Sequence, residues 1–170
     1  MVILGVDPGL ASTGFGAIAF KNSIPPSLIK CGCIKTSIGL HISDRLAQIY
    51  ADTEHLIQTV KPDLVAIENI FSLVRYPKAG ILLGGVLGVI YLSVFQHGIR
   101  LIEIAPKEVK SALVGYGNAN KKQIKEATQK ILKITASLTF HAADALAIAL
   151  TAYSETDIRQ RYDKLSGRKT

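Results

Sequence analysis

Cysteine is scarce in this chain: only two of its 170 residues are cysteines, Cys31 and Cys33. They are two positions apart on a segment with the pattern of a β-strand, so both thiols point to one face and lack the geometry of a disulfide bridge. This excludes a fold held together by disulfides. We therefore expect the protein to work in a reducing, cytoplasmic compartment.

The sequence also lacks internal repeats and any linker long enough to divide it. Its length and its 48% of hydrophobic residues are typical of one domain with one buried core, which we expect to span residues 1–154. The chain turns polar from Glu155 onward, and residues 155–170 are predicted to form a flexible carboxyl-terminal tail. The amino-terminal residues show no basic segment followed by an apolar one, so no export signal is expected.

No fully charged residue occurs between residues 79 and 99, a stretch just long enough to cross a bilayer as a helix. Its interior glycines, and the strand patterns on either side of it, instead favour a helix within a compact domain. Such a helix would be buried against its own sheet or against a partner subunit. We expect no membrane association.

Acidic residues are outnumbered, with 13 against 20 basic ones, which gives a formal net charge of +7. This balance favours a polyanionic partner, either a nucleic acid or an anionic membrane surface. The excess is local, because residues 100–133 contain eight basic and three acidic residues, a net charge of +5. A surface that follows a phosphate backbone requires such a concentration of positive charge.

Hydrophobic periodicity and turn residues predict the element order βββαβαβααα, an α/β fold with a mixed sheet. The expected strands are residues 2–7, 14–20, 28–36, 63–70 and 100–104. Pro25-Pro26 is expected to form a turn before the third strand. The expected helices include a basic one at residues 121–133 and an apolar one at residues 142–153.

Two acidic residues stand at the ends of predicted strands. Asp7 is followed by a Pro8-Gly9 turn, which fixes its carboxylate at the end of the sheet, although it can equally serve only to cap that turn. Glu68 lies in the apolar run LVAIENIF, where burial of a carboxylate costs free energy unless a cation or donor meets it. Glu68 is therefore predicted to have a catalytic or metal-binding role.

The last apolar helix carries a third acidic residue, Asp144, in an alanine- and leucine-rich sequence where an ionised carboxylate is unusual. His141 precedes it by three residues and so shares its helix face. Asp144 can instead stabilise the helix dipole, and His141 can be a capping or surface residue.

Together with Asp7 and Glu68, these two residues form a set of three carboxylates and one imidazole. Carboxylates that converge repel one another unless divalent cations neutralise them, and hard oxygen ligands favour magnesium or manganese. Two such ions about 4 Å apart are suited to phosphodiester hydrolysis, since they hold both the attacking water and the leaving oxygen.

Four segments resemble, in order, the signature blocks of the RuvC-type crossover junction endonucleases: ILGVDPGLASTGFG, PDLVAIENIF, APKEVKSALVGYGNANKKQI and HAADALAIALTAY. The similarity spans residues 1–153, and four ordered blocks are far more specific than one. It implies a ribonuclease H-like fold, with a mixed β-sheet flanked by α-helices. It also implies that the metal ligands and catalytic residues are Asp7, Glu68, His141 and Asp144, holding two Mg²⁺ ions that Mn²⁺ can replace.

The same resemblance implies a homodimer that resolves four-way (Holliday) DNA junctions by paired symmetric nicks, in homologous recombination and DNA repair. The glycine-rich helix within residues 80–98 would supply the dimer seam, because small residues permit close approach. A branch-migration helicase complex of the RuvA and RuvB type is the expected partner.

The family often has an aspartate at the position of His141, with histidine in some members. A neutral ligand there lowers the negative charge of the site, and imidazole suits manganese better than magnesium. Alternatively, His141 positions or deprotonates the attacking water, which the near-neutral pKa of histidine permits.

The resemblance also implies a set of DNA-contacting residues: Phe71, Arg75, Tyr76, Lys78, Lys110 and Lys121. Phe71 matches an aromatic residue that stacks on bases near the junction centre, although plain core packing is an equal interpretation from the residue alone. The loop SLVRYPK that follows it suits the binding of an unstacked strand. Lys110 and Lys121 match lysines that contact phosphate near the cut, whereas the usual meaning of a basic run is a solvated face, and this applies to Lys107, Lys122 and Lys125.

Other functions stay open at this point. Asp7-Pro8-Gly9 and Gly14 also resemble the phosphate loop of actin-like sugar kinases, but those proteins need a second domain for which 170 residues leave no room. Nearer alternatives are a ribonuclease H-like nuclease acting on RNA or other branched DNA, and a module that binds junctions without cutting them. The intact set of four candidate ligands argues against the last, because keeping acids buried together is costly.

Overall fold

The computed structural model describes residues 1–21, 24–69 and 77–166. In these ranges the elements, in chain order, are β1 (Val2–Asp7), β2 (Ser12–Lys21), β3 (Ile24–Lys35), α1 (Ile42–Val60), β4 (Leu64–Glu68), α2 (Pro77–Gln96), β5 (Arg100–Ile104), α3 (Pro106–Val114), α4 (Lys121–Leu132) and α5 (Phe140–Ser166). The predicted order βββαβαβααα is confirmed.

The strands form one mixed sheet in the order β3-β2-β1-β4-β5. Strand β2 pairs antiparallel with both β1 and β3, whereas β4 pairs in parallel with both β1 and β5. Antiparallel neighbours need only short connections, and parallel ones need a crossover, which α1 and α2 supply here. This arrangement confirms the predicted α/β class with a mixed sheet flanked by helices.

The sheet divides the interior into two cores rather than the single core expected from composition. Alternate residues of a strand point to opposite faces, and Ile3 and Ala66 accordingly pack under α3, α4 and α5, whereas Leu4 and Val65 pack under α1 and α2. The same alternation turns Asp7 and Glu68, the last residues of β1 and β4, towards the face that α5 covers.

Helix α5 lies directly on the backbones of β1 and β2, and two glycines make this possible. A Cβ atom at Gly5 would overlap the carbonyl oxygen of Ala145, and one at Gly14 would overlap the carbonyl oxygen of His141. Because the obstructing atoms are backbone, no side-chain rotation relieves the overlap. The position of the amino-terminal part of α5 therefore depends on glycine at both strand positions.

Pro25 and Pro26 do not form the predicted turn; they lie inside β3, which starts at Ile24. Proline lacks the N–H that a central strand needs, but β3 is at the edge of the sheet, and no strand of the described ranges pairs with its other side. The register of β2 with β3 also shifts between Ala19 and Lys21, opposite these prolines, and this irregularity relaxes the pairing there.

Helix α5 differs from the prediction at both ends. It begins at Phe140 rather than near Ala142 because Thr139 caps it: the Thr139 hydroxyl accepts a hydrogen bond from the Ala142 N–H, at 3.1 Å. It also continues to Ser166, so the backbone has no break between residues 154 and 155, where the domain was expected to end and the polar tail to begin. The division of the chain at that residue stays a prediction.

Helix α2 contains the apolar stretch. Among the described residues, Lys78–Gln96 is long and apolar enough to cross a membrane, and 22% of it is buried inside the protein. Polar contacts attach it to α1, since the Tyr50 hydroxyl donates to Gln96 Oε1 at 2.6 Å and Glu54 accepts from Ser93. One side of α2 thus packs on its own domain, and another side leaves Ile81 and Phe95 exposed.

We predict that Gly14→Ala destabilises the protein by about 1–3 kcal/mol, the usual cost of overpacking a tight contact. Gly39→Ala is the matched control, because the nearest atom to a Cβ there is Ser37 Oγ at 3.9 Å, in ordinary contact. Urea unfolding of both variants measures the difference. Equal midpoints for the two variants would show that α5 does not need glycine at position 14.

Candidate active site

Asp7 and Glu68 stand side by side at one edge of the sheet. Val6 pairs with Ile67 in the parallel register of β1 and β4, so the next residue of each strand carries its carboxylate to the same edge. The turn after Asp7 is closed by Thr13, whose hydroxyl donates to the Gly9 carbonyl at 2.8 Å. Asp7 Oδ2 is instead hydrogen bonded to His141, so this carboxylate does not serve only to cap the turn.

Helix α5 brings His141 and Asp144 to this edge. The His141 Nδ1 lies 2.7 Å from Asp7 Oδ2, across 134 positions of sequence. An ionised carboxylate can only accept, so Nδ1 carries the hydrogen and Nε2 is the ring nitrogen left for a cation or a water molecule. The side chain of His141 is 45% exposed, which leaves this second nitrogen accessible.

Three carboxylates and two lysines line one cavity of about 350 Å³, namely Asp7, Glu68, Asp144, Lys110 and Lys121. Lys110 comes from α3, and Lys121 is the first residue of α4. The Lys121 Nζ lies 3.6 Å from Asp144 Oδ2. The cavity therefore joins an acidic floor to a basic wall.

The carboxylates at this edge are electrostatically strained. Burial, followed by the charges of Asp7 and Asp144, raises the pKa of Glu68 to about 7. Burial also raises the pKa of Asp7, although His141 and Lys121 oppose this, and burial and Asp7 together raise the pKa of Asp144. The nearby positive charges do not offset burial and mutual repulsion, so ionising all three carboxyl groups together costs free energy.

The donor set fits a hard divalent cation, because it consists of carboxylate oxygens whose repulsion such an ion would relieve. Within the described ranges, however, no three histidine, cysteine, aspartate or glutamate side chains are grouped closely enough to hold an ion as they stand. Asp7 is engaged with His141 and Asp144 with Lys121. Rotation of these side chains is needed for the carboxylates to share a cation.

The structure places only some of the predicted DNA-contacting residues. Phe71, Arg75 and Tyr76 lie outside the described residues, and Lys78 is exposed near the start of α2. Lys110 and Lys121 line the cavity beside the acids, and their contact with phosphate stays a prediction.

Lys107 and Lys122 are exposed, as on a solvated basic face, whereas Lys125 is half-buried. Lys122 lies 3.9 Å from Glu126, and Lys125 lies over the ring of Phe140.

Two polar residues that shape the site were not predicted from the sequence. Asn120 caps α4 by accepting from the Gln123 N–H at 3.0 Å, and it lines the cavity next to Lys121. The spacing of Asn120 and Gln123 is that of a capping box and would have revealed it. Thr139 fixes the start of α5, as described above, and a threonine before an apolar helix is a comparable signal.

The fold has close counterparts among solved structures. The structure of Thermus thermophilus RuvC in complex with a Holliday junction substrate matches with a TM-score of 0.87 and 31% identity, covering 93% of this chain and 96% of that one. This fold is ribonuclease H-like. A ribonuclease H-like sheet that carries clustered carboxylates and lysines at one edge defines the chain as a nuclease of that class.

Sequence comparisons give the family. The model of crossover junction endodeoxyribonuclease RuvC matches residues 3–152. The RuvC of Gloeobacter violaceus is 44% identical over 156 residues, 90% of this chain and 88% of that protein, and the RuvC of Tolumonas auensis is 38% identical over 149 residues, 88% and 84% respectively. The chain belongs to the RuvC family of crossover junction endodeoxyribonucleases, which confirms the resemblance seen in its four sequence blocks.

We predict that Glu68→Gln stabilises the metal-free protein, and more so at pH 8 than at pH 5. The pKa of Glu68 is about 7 in the folded chain against an ordinary 4.5, so the folded state holds a proton that the unfolded state releases. Stability is therefore lost as the pH rises from 4.5 through 7, and a neutral amide removes that loss.

Urea unfolding in EDTA at both pH values, for wild type and Glu68→Gln, measures this difference. Asp52→Asn, an exposed substitution on α1, is the control and should change stability little at either pH. A stability gain for Glu68→Gln that is the same at pH 5 and pH 8 would contradict the raised pKa.

Proposed function

We propose that this protein resolves four-way DNA junctions by divalent-metal-dependent phosphodiester hydrolysis, in homologous recombination and DNA repair. The observation that carries the proposal is the convergence of Asp7, Glu68 and Asp144 on one cavity whose wall bears Lys110 and Lys121. Acids alone would repel a DNA backbone, and lysines alone would only bind it. The relative from Thermus thermophilus, solved with a Holliday junction substrate, supports the choice of substrate.

The three carboxylates would hold the metal, with His141 Nε2 as a fourth donor or as the group that positions water. Two Mg²⁺ ions, or Mn²⁺ in their place, would supply an activated water and stabilise the leaving oxygen. Without a ligand, the hydrogen bond from His141 occupies Asp7 Oδ2, so this contact would have to change for Asp7 to share a cation. Burial keeps bulk water away from the acids and strengthens their attraction for cations.

The lysines of the cavity would position the DNA. Lys110 and Lys121 lie beside the acids, so a phosphate held by their ammonium groups is brought to the carboxylates. Phe71, Arg75, Tyr76 and Lys78 follow Glu68 in the chain and are assigned to the same DNA surface through the family resemblance. Contacts of this kind fix the position of the backbone and carry no sequence information.

We predict that the protein makes paired, symmetric nicks in a labelled synthetic four-way junction in Mg²⁺, and also in Mn²⁺. Linear duplex and an RNA–DNA hybrid are the substrate controls. Glu68→Gln should lower the rate by more than about 100-fold, since even residues that only support metal ligands cost 10–100-fold when replaced. Asp52→Asn, on the opposite face of the sheet, should cleave like wild type.

The cleavage experiment separates the alternatives. Junctions that are bound but uncut in both metals would indicate a binding module. Preferential cleavage of the hybrid would indicate a ribonuclease instead. Nicking by Glu68→Gln at the rate of wild type would show that the acidic edge is not the catalytic centre.

We also propose a homodimer that uses the exposed side of α2. Ile81 is 75% exposed and Phe95 is 80% exposed, and both lie on a helix that carries no charge after Lys78. Apart from the helix's own backbone, no atom of the described residues lies within 4 Å of a Cβ added at Gly84 or Gly88, which leaves space for the backbone of a second copy. Two active sites related by a twofold axis would match the symmetry of a four-way junction.

We predict that Phe95→Lys makes the protein monomeric, because a charge in an apolar seam is left without a partner. Light scattering after size-exclusion chromatography measures the mass, with Ile38→Lys as a control at another exposed apolar residue, 84% exposed, in the loop before α1. The monomer should nick single strands without pairing the cuts. A Phe95→Lys variant that stays dimeric would contradict this seam.

We assign the protein to the cytoplasm, without membrane association, and propose that a branch-migration helicase complex of the RuvA and RuvB type delivers the junction. The polar contacts of α2 with α1 support a helix docked on its own domain. A dimer seam accounts for its remaining apolar surface. Flotation with lipid vesicles tests the assignment, since a membrane-associated protein would rise with them.

A further inference from the structure

Lys121 is the one cation of the described cavity wall whose charge acts on all three carboxylates. It lowers the pKa values of Asp7, Glu68 and Asp144, whereas Lys110 affects only Glu68. Its ammonium lies 3.6 Å from Asp144 Oδ2. The ammonium of Lys121 therefore lies beside one of the carboxylates that would hold a divalent cation, and its charge also acts on the other two.

The backbone of Lys121 is fixed, but its side chain can move. Asn120 and Gln123 form a reciprocal capping box around it, with hydrogen bonds of 2.9 and 3.0 Å. The side chain of Lys121 is 68% exposed, whereas that of Asp144 is 22% exposed. An ion pair with so exposed a lysine is weak, because solvent screens it and a long side chain loses entropy in it. The ammonium can thus leave the carboxylate without disturbing α4.

We propose that Lys121 is an internal counter-ion of the acidic edge, and that a DNA phosphate opens this edge to metal by drawing the lysine away. The proposal rests on the proposed function, since it takes the phosphate to be that of a bound junction. A cation on Asp144 repels the ammonium, and a phosphate offers the ammonium another partner. Metal and DNA consequently favour each other's binding through this one side chain.

The neighbouring lysines provide matched controls. Lys122 is the next residue and carries the same charge, but it pairs with Glu126 at 3.9 Å and is 81% exposed. Lys122→Gln therefore removes one positive charge from the same helix turn without touching the acids. Lys121→Arg keeps the charge at the site, and Lys121→Gln removes it.

The first experiment measures Mn²⁺ binding to the DNA-free protein by electron paramagnetic resonance of the free ion. Lys121→Gln should bind Mn²⁺ about 5–10-fold more tightly than wild type, within the usual range of coupling between sites. Lys121→Arg should bind like wild type, and Lys122→Gln should change the affinity by less than about 2-fold, as expected of an exposed charge in salt. Unchanged or weaker binding by Lys121→Gln, or equal tightening by Lys122→Gln, would overturn the proposal.

The second experiment measures junction affinity by fluorescence anisotropy in EDTA and in Ca²⁺, with the junction recovered intact on a denaturing gel. Ca²⁺ should raise the affinity of wild type several-fold more than that of Lys121→Gln, because the variant lacks the shared side chain. Equal enhancement in the two proteins would overturn the coupling. Wild type that does not prefer junction over duplex would overturn the proposed function instead, and the Mn²⁺ measurement would still decide whether Lys121 competes with metal.

Discussion

Helix α5 approaches β1 and β2 so closely that only glycine fits beneath it, and the candidate active site depends on this contact. The carbonyl oxygens of Ala145 and His141 occupy the space that side chains at Gly5 and Gly14 would fill. The same approach brings the His141 imidazole to 2.7 Å from Asp7. A shift of α5 by the width of a methyl group would separate the residues contributed by helix and sheet.

The second constraint is electrostatic and opposes the first. Packing draws three carboxylates into one partly buried cavity, and burial together with their mutual repulsion raises the pKa of Glu68 to about 7. The fold tolerates this arrangement because two hydrophobic cores, one on each face of the sheet, stabilise the strands that carry the acids. Carboxylates whose ionisation is unfavourable without positive charge nearby attract cations.

Much of this could be predicted from the sequence, for identifiable reasons. The element order follows from hydrophobic periodicity, and Asp7 and Glu68 fall at one edge because both end strands that are parallel. The role of the glycines beneath α5 was harder to predict, because nothing in the sequence around Gly5 or Gly14 reveals which backbone lies above them. The Lys121 contact with Asp144 depends on how α4 is placed against α5, which is a tertiary property. The turn predicted at Pro25 and Pro26 was wrong for a similar reason, since a strand accommodates these prolines only because β3 is at the edge of the sheet.

The hydrogen bond between Asp7 and His141 spans 134 positions, nearly the whole folded chain. On the ribosome, at about 5–20 residues per second, the first strand therefore exists for on the order of 10 s before the helix that completes its edge is synthesised. Contacts so distant in sequence also form late in folding, because loop closure precedes them. A nascent chain that already holds Asp7 and Glu68 consequently lacks the part of this edge that α5 contributes, and the edge is complete only when synthesis has passed Asp144.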